Sequence, residues 1–179
     1  MRSLHRILLM TLLIGAAPVV AQDRAGADHP LVPRYEGARI ANYRASSLDE
    51  IFIPTAAVSD EGRAPGAALE ALVMHLDYTV VPAVSPLAIA RHYEAVLAAN
   101  GFETLFSCSG PSECGRDMDA LISNSGRVAP SGFSDAVFSD RLRVVVARRR
   151  ADWVLLRLDE ASDRSLIYAV VAENSQPQR

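Results

Sequence analysis

The feature that most constrains the fold is the stretch 69–81, in which apolar side chains alternate with other side chains. Successive residues of a β-strand point to opposite faces, so this period of two predicts a strand. One face carries Leu72, Met74, Leu76, Tyr78 and Val80. The other face carries Val73, His75, Asp77 and Thr79. Because His75 and Asp77 are polar, we expect the second face to lie in solvent.

A helix is predicted directly after this strand. Ser85-Pro86 is typical of a helix start, since serine caps the first turn and proline fits its first position. Asn100-Gly101 is typical of a helix end, where a left-handed residue is favoured. The residues between them place apolar side chains on one helix face, at Ile89, Tyr93, Val96 and Leu97. A further strand is expected over 102–107.

The remaining patterns complete an α+β fold. Short strands are predicted over 39–43, 48–53, 142–146, 153–158 and 165–172. The stretch 115–140 has little periodicity, apart from a short helix near 117–122. The order strand, helix, strand and then consecutive strands predicts a mostly antiparallel sheet with one main helix packed on it. We assign residues 39–173 to this single domain.

The chain begins with the pattern of a cleaved export signal. Arg2 and Arg6 precede an apolar run over 7–17, and small residues follow before Gln22. The run is too short to span a bilayer, and no cysteine for a lipid anchor lies near the junction. We therefore predict a signal peptide over 1–21 and a periplasmic or secreted mature protein without a transmembrane span. Removing 21 of 179 residues leaves 158, enough for one ordinary domain.

Composition limits the classes of partner. The whole chain has a net charge of -3, and losing Arg2 and Arg6 makes the mature chain about 2 units more acidic. Such a charge argues against nucleic-acid binding. The proline-punctuated stretch 22–38 predicts an extended N-terminal segment, and the polar stretch 174–179 predicts a tail.

The two cysteines, Cys108 and Cys114, predict a disulfide. An even count in an exported chain favours pairing, and the turn-forming residues 109–113 allow the sulfurs to approach. A redox-active pair is less favoured, because the spacing is wider than the usual C-x-x-C. Free thiols or metal binding stay open as further alternatives.

Several segments together resemble an uncharacterised bacterial envelope family, domain-of-unknown-function family 4892. They are Asp28–Tyr35, Gly37–Tyr43, Asp49–Pro54, Ser85–Tyr93, Asn100–Phe102, Leu105–Cys108 and Cys114-Gly115. The resemblance implies an envelope location and supplies no catalytic residues. Members are often N-terminal partners of OmpA-like peptidoglycan-binding domains. This sequence has no OmpA-like part, so we do not carry cell-wall attachment over to it.

An arginine cluster is the main candidate binding feature. Its members are Arg141, Arg143, Arg148, Arg149 and Arg150. If the apolar residues that alternate with them face the core, Arg141 and Arg143 must face outward. Arginine suits bidentate contact with phosphate, so the cluster predicts a patch for an anionic partner. The alternative is a solvated hairpin whose charges block edge pairing.

Other candidates are weaker. His29 and Arg34, in the extended opening segment, are candidate ligand-binding residues. His75 and Asp77 have the spacing of two metal ligands on one strand face, but the sequence nominates no third ligand. Ser134 lacks the second glycine of a nucleophile elbow. We therefore assign no catalytic residue, no metal and no cofactor.

These observations favour a non-catalytic periplasmic module that binds a partner protein or an anionic envelope component. The alternative is a small periplasmic enzyme or ligand carrier, with a cleft formed near the helix and residues 115–140. A pocket that gathers His29, His75 or His92 with carboxylates would favour the alternative.

Overall fold

The computed structural model of this protein describes residues 26–135 and 139–173. The predicted signal peptide and the predicted tail lie outside the described residues. In chain order the elements are β1 (Ala38–Pro54), β2 (Gly66–Val80), α1 (Pro86–Ala99), β3 (Glu103–Ser109), α2 (Gly110–Cys114), α3 (Met118–Ser123), β4 (Arg143–Arg149), β5 (Asp152–Glu160) and β6 (Ser165–Glu173).

The six strands form one sheet in the order β1-β2-β6-β5-β4-β3, and every neighbouring pair is antiparallel. This confirms the predicted antiparallel sheet, and the α+β class applies in a loose sense. Instead of one main helix, the described part of the chain has three, of 14, 5 and 6 residues. No helix within that part has the length and apolar character needed to cross a membrane.

Helix α1 forms where its start and stop signals predicted. The Ser85 hydroxyl oxygen accepts a hydrogen bond from the Ala88 amide at 3.2 Å, and Pro86 opens the helix. Gly101 follows the last turn with a φ of 78°, a conformation that glycine adopts without strain. The face toward the sheet carries Ile89, Ala90, Tyr93 and Leu97.

Strand β1 corrects the sequence prediction. The two short strands expected over 39–43 and 48–53 are parts of one strand of 17 residues. Its pairing with β2 shifts register between Ile40 and Asn42 and again between Ser46 and Asp49. Each irregularity breaks the period of two, so a continuous strand resembled two separate ones in the sequence.

Both faces of the sheet are covered, by different kinds of structure. Helix α1 and the N-terminal segment 26–35 pack on one side, which we call the helix face. The far part of the β1–β2 hairpin and residues 115–135, which we call the cover segment, pack on the other side, the cover face. The sheet is therefore the middle layer of the molecule.

The helix face is held by apolar packing. Its core residues include Val32, Ile40, Leu76, Ile89, Leu97, Leu156 and Ile167. Val32, from the N-terminal segment, is fully buried there. The Tyr93 hydroxyl accepts a hydrogen bond from the Tyr35 amide at 3.1 Å. The N-terminal segment therefore lies on its own sheet, beside α1.

The predicted disulfide between Cys108 and Cys114 is present, with a Cα–Cα distance of 5.1 Å. It joins the end of β3 to the end of α2, and both cysteines are buried in the cover-face core. The Cys114 carbonyl accepts a hydrogen bond from the Val58 amide at 2.9 Å. Only glycine fits next, because a Cβ on Gly115 would lie 2.0 Å from the Val58 carbonyl oxygen. The cystine and this close approach fix the start of the cover segment.

The two outer strands have interrupted edges. In β3 the pairing with β4 shifts register between Thr104 and Phe106, and the intervening Leu105 is exposed. The Ser109 amide is capped by the Glu113 carboxylate at 2.9 Å. On β1, besides the two register shifts, the Phe52 amide donates to the Arg127 carbonyl of the cover segment at 2.9 Å.

Candidate functional site

The expectation that His75 and Asp77 face solvent is wrong. Their side of β2 faces the cover segment, and the two residues are only 5% and 8% exposed. The alternation correctly placed them on a common face, but it carried no information on what lies against that face. Their partners show that both fasten the cover segment to the sheet.

His75 acts through Tyr168 of β6. The His75 Nδ1 lies 2.8 Å from the Tyr168 hydroxyl, which donates to the Val128 carbonyl of the cover segment at 3.2 Å. Because the Tyr168 hydroxyl donates its proton to Val128, it must accept from His75, so the imidazole is protonated on Nδ1. Burial, reinforced by the positive charge of Arg44, lowers the pKa of His75 to about 4. The imidazole is therefore neutral near pH 7.

Asp77 holds the end of the cover segment. Its two carboxylate oxygens accept hydrogen bonds from the Ser134 amide at 3.0 and 3.1 Å, and Asn42 Nδ2 donates to it at 3.3 Å. Burial raises the pKa of Asp77 to about 6, and the bonds from Ser134 and Asn42 oppose that rise. The geometry suits a carboxylate that anchors a loop.

A buried ionic cluster lies on the same face and was not predicted. Arg157 of β5 is fully buried; its Nε donates to Asp119 of α3 and its Nη2 donates to Asp159 at 3.1 Å. The Nη1 of Arg157 donates to the Asp135 carbonyl at 3.2 Å. The Ser139 hydroxyl donates to Asp159. We define Arg157, Asp119 and Asp159 as the ionic cluster.

The sequence did contain a signal for this cluster. Arg157 and Asp159 alternate with Leu156 and Leu158 inside a strand that is otherwise apolar. A charged pair in such a strand needs buried partners, because isolated buried charges are costly. Its partner Asp119 was not identifiable, since it lies in the stretch with little periodicity.

Two cavities adjoin these residues. A concavity of about 380 Å³ is lined by residues of the stretch 123–135, mostly serine, glycine and other small or amide residues, together with Phe133 and Asp135. A smaller cavity of about 40 Å³, lined by Asp77 and Arg157 among others, shares Ser134 and Asp135 with it. Neither is lined by a histidine. The histidine-bearing pocket that would favour an enzyme or carrier is not formed by these two cavities.

The hydroxyl and imidazole groups of the cover face have partners within the protein, whereas one buried oxygen of Asp119 has none among the described residues. The buried Ser134, with a φ of 57°, has its hydroxyl 3.1 Å from that of Ser123, while His75 is bonded to Tyr168. In residues 26–135 and 139–173 no group of three or more His, Cys, Asp or Glu residues is placed to hold a metal ion. The arrangement anchors chain segments to the sheet.

His29 and Arg34 also have partners within the protein. The buried His29 accepts the Leu31 amide on Nδ1 at 3.2 Å, and its Nε2 lies 3.3 Å from the Glu173 carboxylate. Arg34 Nε donates to both oxygens of Asp28 at 3.0 and 2.8 Å. The His29–Glu173 contact joins the N-terminal segment to the end of β6, whereas the Arg34–Asp28 pair lies within the segment. Ligand binding by the two residues stays a prediction.

The arginine cluster is divided by strand β4. Arg141 lies two residues before the strand and pairs with Glu160 at 3.0 Å, whereas Arg148 and Arg149 end the strand and Arg150 follows it. With a rise of about 3.3 Å per residue, the two groups are roughly 20 Å apart. Arg143 is half-buried on the helix face, between them. The five residues therefore do not form one patch.

The end of β4 carries three successive arginines that we call the basic turn, Arg148–Arg150. The Arg148 guanidinium lies 5.0 Å from the centre of the Trp153 ring, and its Nε donates to the Arg150 carbonyl at 2.6 Å. The Arg149 guanidinium lies 4.8 Å from the Phe102 ring and pairs with Asp152 at 3.1 Å. Each stacked guanidinium is thus held by an aromatic ring.

The third member of the basic turn, Arg150, has a left-handed backbone with a φ of 56° and an exposed side chain. No hydrogen bond or ion pair joins its guanidinium to another described residue. Arg148 is exposed as well, whereas the charge of Arg149 is balanced by Asp152. Two arginine side chains therefore extend from this turn with their charges available.

Comparison with known proteins finds no family model and no curated protein that matches this chain. The resemblance to domain-of-unknown-function family 4892 accordingly stays a prediction.

Proposed function

We propose that this protein is a non-catalytic exported module of the cell envelope that binds phosphate-bearing lipid surfaces through its basic turn. The observation that carries the proposal is the geometry of Arg148–Arg150. The exposed Arg148 guanidinium is held against the Trp153 ring, and the exposed Arg150 projects from a left-handed turn beside it. Side chains held in place before binding lose less conformational entropy when they bind.

The chemistry of the turn favours phosphate. The Arg148 guanidinium uses its Nε on the Arg150 carbonyl, and no other described residue binds its two terminal nitrogens, which can contact an oxyanion. The Arg149 guanidinium is already bonded to the Asn100 carbonyl and to Asp152. The protein as a whole is acidic, with a net charge of -3. Attraction to an anionic surface must therefore be local, and it should orient the molecule with this turn toward the surface.

Vesicle sedimentation tests the basic turn. The protein is mixed with vesicles of phosphatidylglycerol and phosphatidylcholine at low and at high salt. Each basic residue near an anionic membrane contributes about 1 kcal/mol, so Arg148→Gln with Arg150→Gln should weaken binding by roughly thirtyfold. Binding of the unaltered protein should also weaken as salt rises, because these charges are exposed.

The matched control carries the same change in charge at the opposite end of the sheet. Arg141 pairs with Glu160 and Arg164 pairs with Asp163, so Arg141→Gln with Arg164→Gln should leave vesicle binding nearly unchanged. If both double variants weaken vesicle binding equally, the loss comes from the change in net charge and not from the basic turn, and the proposal is wrong. Absence of binding to anionic vesicles, with capture of an acidic protein instead, would also remove it.

Export is the second part of the proposal. It is supported by the signal pattern over 1–21, by the disulfide and by the family resemblance. Fractionation of the source cell should recover the protein outside the cytosol, and mass spectrometry should find Gln22 as its first residue. Recovery from the cytosol with residues 1–21 retained and both thiols reduced would overturn this part.

A further inference from the structure

The larger concavity in the cover segment has a wall that the sheet holds in place. Its volume of about 380 Å³ is within the range of small-molecule sites. In this wall the Ser134 amide is bonded to both oxygens of Asp77, and the Asp135 carbonyl accepts from Arg157 at 3.2 Å. Because buried strand residues fix the wall, the concavity is formed before any ligand binds, and binding needs little further ordering.

Three polar side chains that line the concavity have no hydrogen-bond partner among the described residues. They are the Asn124 amide, the Ser131 hydroxyl and the Asp135 carboxylate, and all three residues are exposed. The amide and the hydroxyl each donate and accept hydrogen bonds, and the carboxylate accepts at two oxygens. The concavity therefore offers donors and acceptors close together, which suits a ligand that carries several hydroxyl groups.

An aromatic ring is part of the same lining. Phe133 is half-buried, and its ring centre lies 5.9 Å from that of the His75 imidazole. The face of an aromatic ring carries partial negative charge, which attracts the C–H groups on the face of a sugar ring. The concavity thus combines an aromatic surface with groups that bind hydroxyls, and a sugar presents the partners of both.

The charges around the concavity disfavour an anionic ligand. None of the described residues that line it is basic, and none belongs to the basic turn. Among the described residues beneath the cover segment, buried carboxylates outnumber buried guanidiniums; the residues are Asp77, Asp119 and Asp159 against Arg157. Phosphate is therefore a ligand for the basic turn, whereas this site fits an uncharged ligand.

We propose that this concavity binds an uncharged sugar, with the sugar ring on Phe133 and its hydroxyl groups bonded to Asn124 and Asp135. Such a sugar exists free or as a unit of a glycan chain. A second concavity, of about 440 Å³, adjoins the first at Gly126, which lines both. A glycan chain would continue past Gly126 and lie beside Phe52 of β1.

Titration with neutral disaccharides tests the site. Maltose, cellobiose and diacetylchitobiose are added separately to the protein, and the backbone amide signals are followed by NMR. A ligand of this size in an open polar site should bind with a Kd on the order of 1 mM. The amides of Gly126, Ser131 and Gly132 should shift, while those of α1, on the other face of the sheet, should not. Absence of saturable shifts with all three sugars, at about tenfold the expected Kd, would overturn the proposal.

Single variants test the assigned residues. Asp135→Ala removes the carboxylate and Asn124→Ala removes the amide, so each should weaken sugar binding by about tenfold. Both side chains are exposed, and neither is bonded to another described residue, so the fold should be retained. The matched control, Glu36→Ala, removes an exposed carboxylate in the turn before β1 and should bind as the unaltered protein does. Unchanged affinity in Asp135→Ala and Asn124→Ala would overturn the proposal.

Two further comparisons identify the charge and the source of the ligand. The monomer of the sugar that binds is compared with its 6-phosphate, which should bind roughly threefold more weakly at low salt. Equal or tighter binding of the phosphate would overturn the assignment of an uncharged ligand. A longer oligomer of the same sugar is then compared with the disaccharide. Affinity that rises with length identifies a glycan chain that continues past Gly126, whereas equal affinity identifies a free or terminal sugar.

Discussion

The two faces of the sheet are closed by different means. A regular helix closes most of the helix face, and its backbone N–H and C=O groups are paired within the helix itself. The strands beneath it need to supply only apolar side chains, such as Leu76, Leu156 and Ile167. The cover segment is mostly irregular, so its backbone groups need partners from elsewhere.

Those partners come from the strands. On the cover face Asp77 binds the Ser134 amide, Arg157 binds the Asp135 carbonyl, and Tyr168 binds the Val128 carbonyl. Polar residues in the strands therefore mark the places where irregular chain lies on the sheet. The comparison teaches that the type of covering structure determines which side chains a strand must carry.

The largest expected effect comes from breaking the ionic cluster. Arg157→Met leaves Asp119 and Asp159 buried without their counter-charge, so the free energy of unfolding should fall by about 4 kcal/mol. Urea denaturation measures the loss. Replacing Asp119 and Asp159 by leucine in the same variant should recover at least half of it, because apolar residues then fill the site. A loss below about 1 kcal/mol for Arg157→Met would contradict this account of the cover face.

On the helix face the matching change is Leu97→Ala. Leu97 is 1% exposed in the apolar core, so a cavity forms and the free energy of unfolding should fall by about 3 kcal/mol. The loss should be the same at pH 5 and pH 7, because this packing involves no charge. A loss that varies strongly with pH would show that the two faces are not independent.

Protonation should affect the cover face in two opposite ways. The raised pKa of Asp77 gives stability that is complete below about pH 4 and is lost as pH rises through about 6. The lowered pKa of His75 gives stability that is complete above about pH 6.5 and is lost as pH falls through about 4. Each contribution is about 2–3 kcal/mol, from shifts of about two pKa units.

Single variants should separate these contributions. Asp77→Asn should leave a protein that loses stability as pH falls from 6.5 to 4, and His75→Gln should leave one that gains stability over that range. The unaltered protein should have a flatter profile than either variant. Chemical denaturation at several pH values measures all three profiles, and slopes of the same sign in both variants would contradict the assignment.

The smallest expected effect is the loss of the α1 cap. Ser85→Ala removes the oxygen that accepts the Ala88 amide, so the free energy of unfolding should fall by about 1 kcal/mol. Thermal unfolding measures it, and Ser85→Asp, which restores an acceptor, should recover the loss. An unchanged melting temperature in Ser85→Ala would show that packing alone positions the helix.

The sequence predicted α1 and β2 correctly, because capping residues and alternation are signals within the element itself. Ser85-Pro86 and Asn100-Gly101 located α1, and the alternation over 69–81 located β2. The cysteine pair was also found, because spacing and turn residues sufficed. Coverage of the second sheet face was not predicted, since the cover segment has almost no periodicity.

The candidate site was predicted less well for the same reason. His75 and Asp77 were placed on one face, but their burial depends on residues more than fifty positions away, such as Ser134. The arginines formed a cluster in sequence, whereas the extended strand between Arg141 and Arg148 separates them in space. Extended geometry alone was enough to predict that separation.

The interrupted edges of β1 and β3 have a consequence for the behaviour of many copies together. A growing cross-β assembly needs a long, regular row of unpaired amides as a template. Leu105 breaks that row on β3, and the irregularities at Ile40 and Ser46 break it on β1. We therefore expect the two outer strands of the described sheet to be poor templates for open-ended polymerisation.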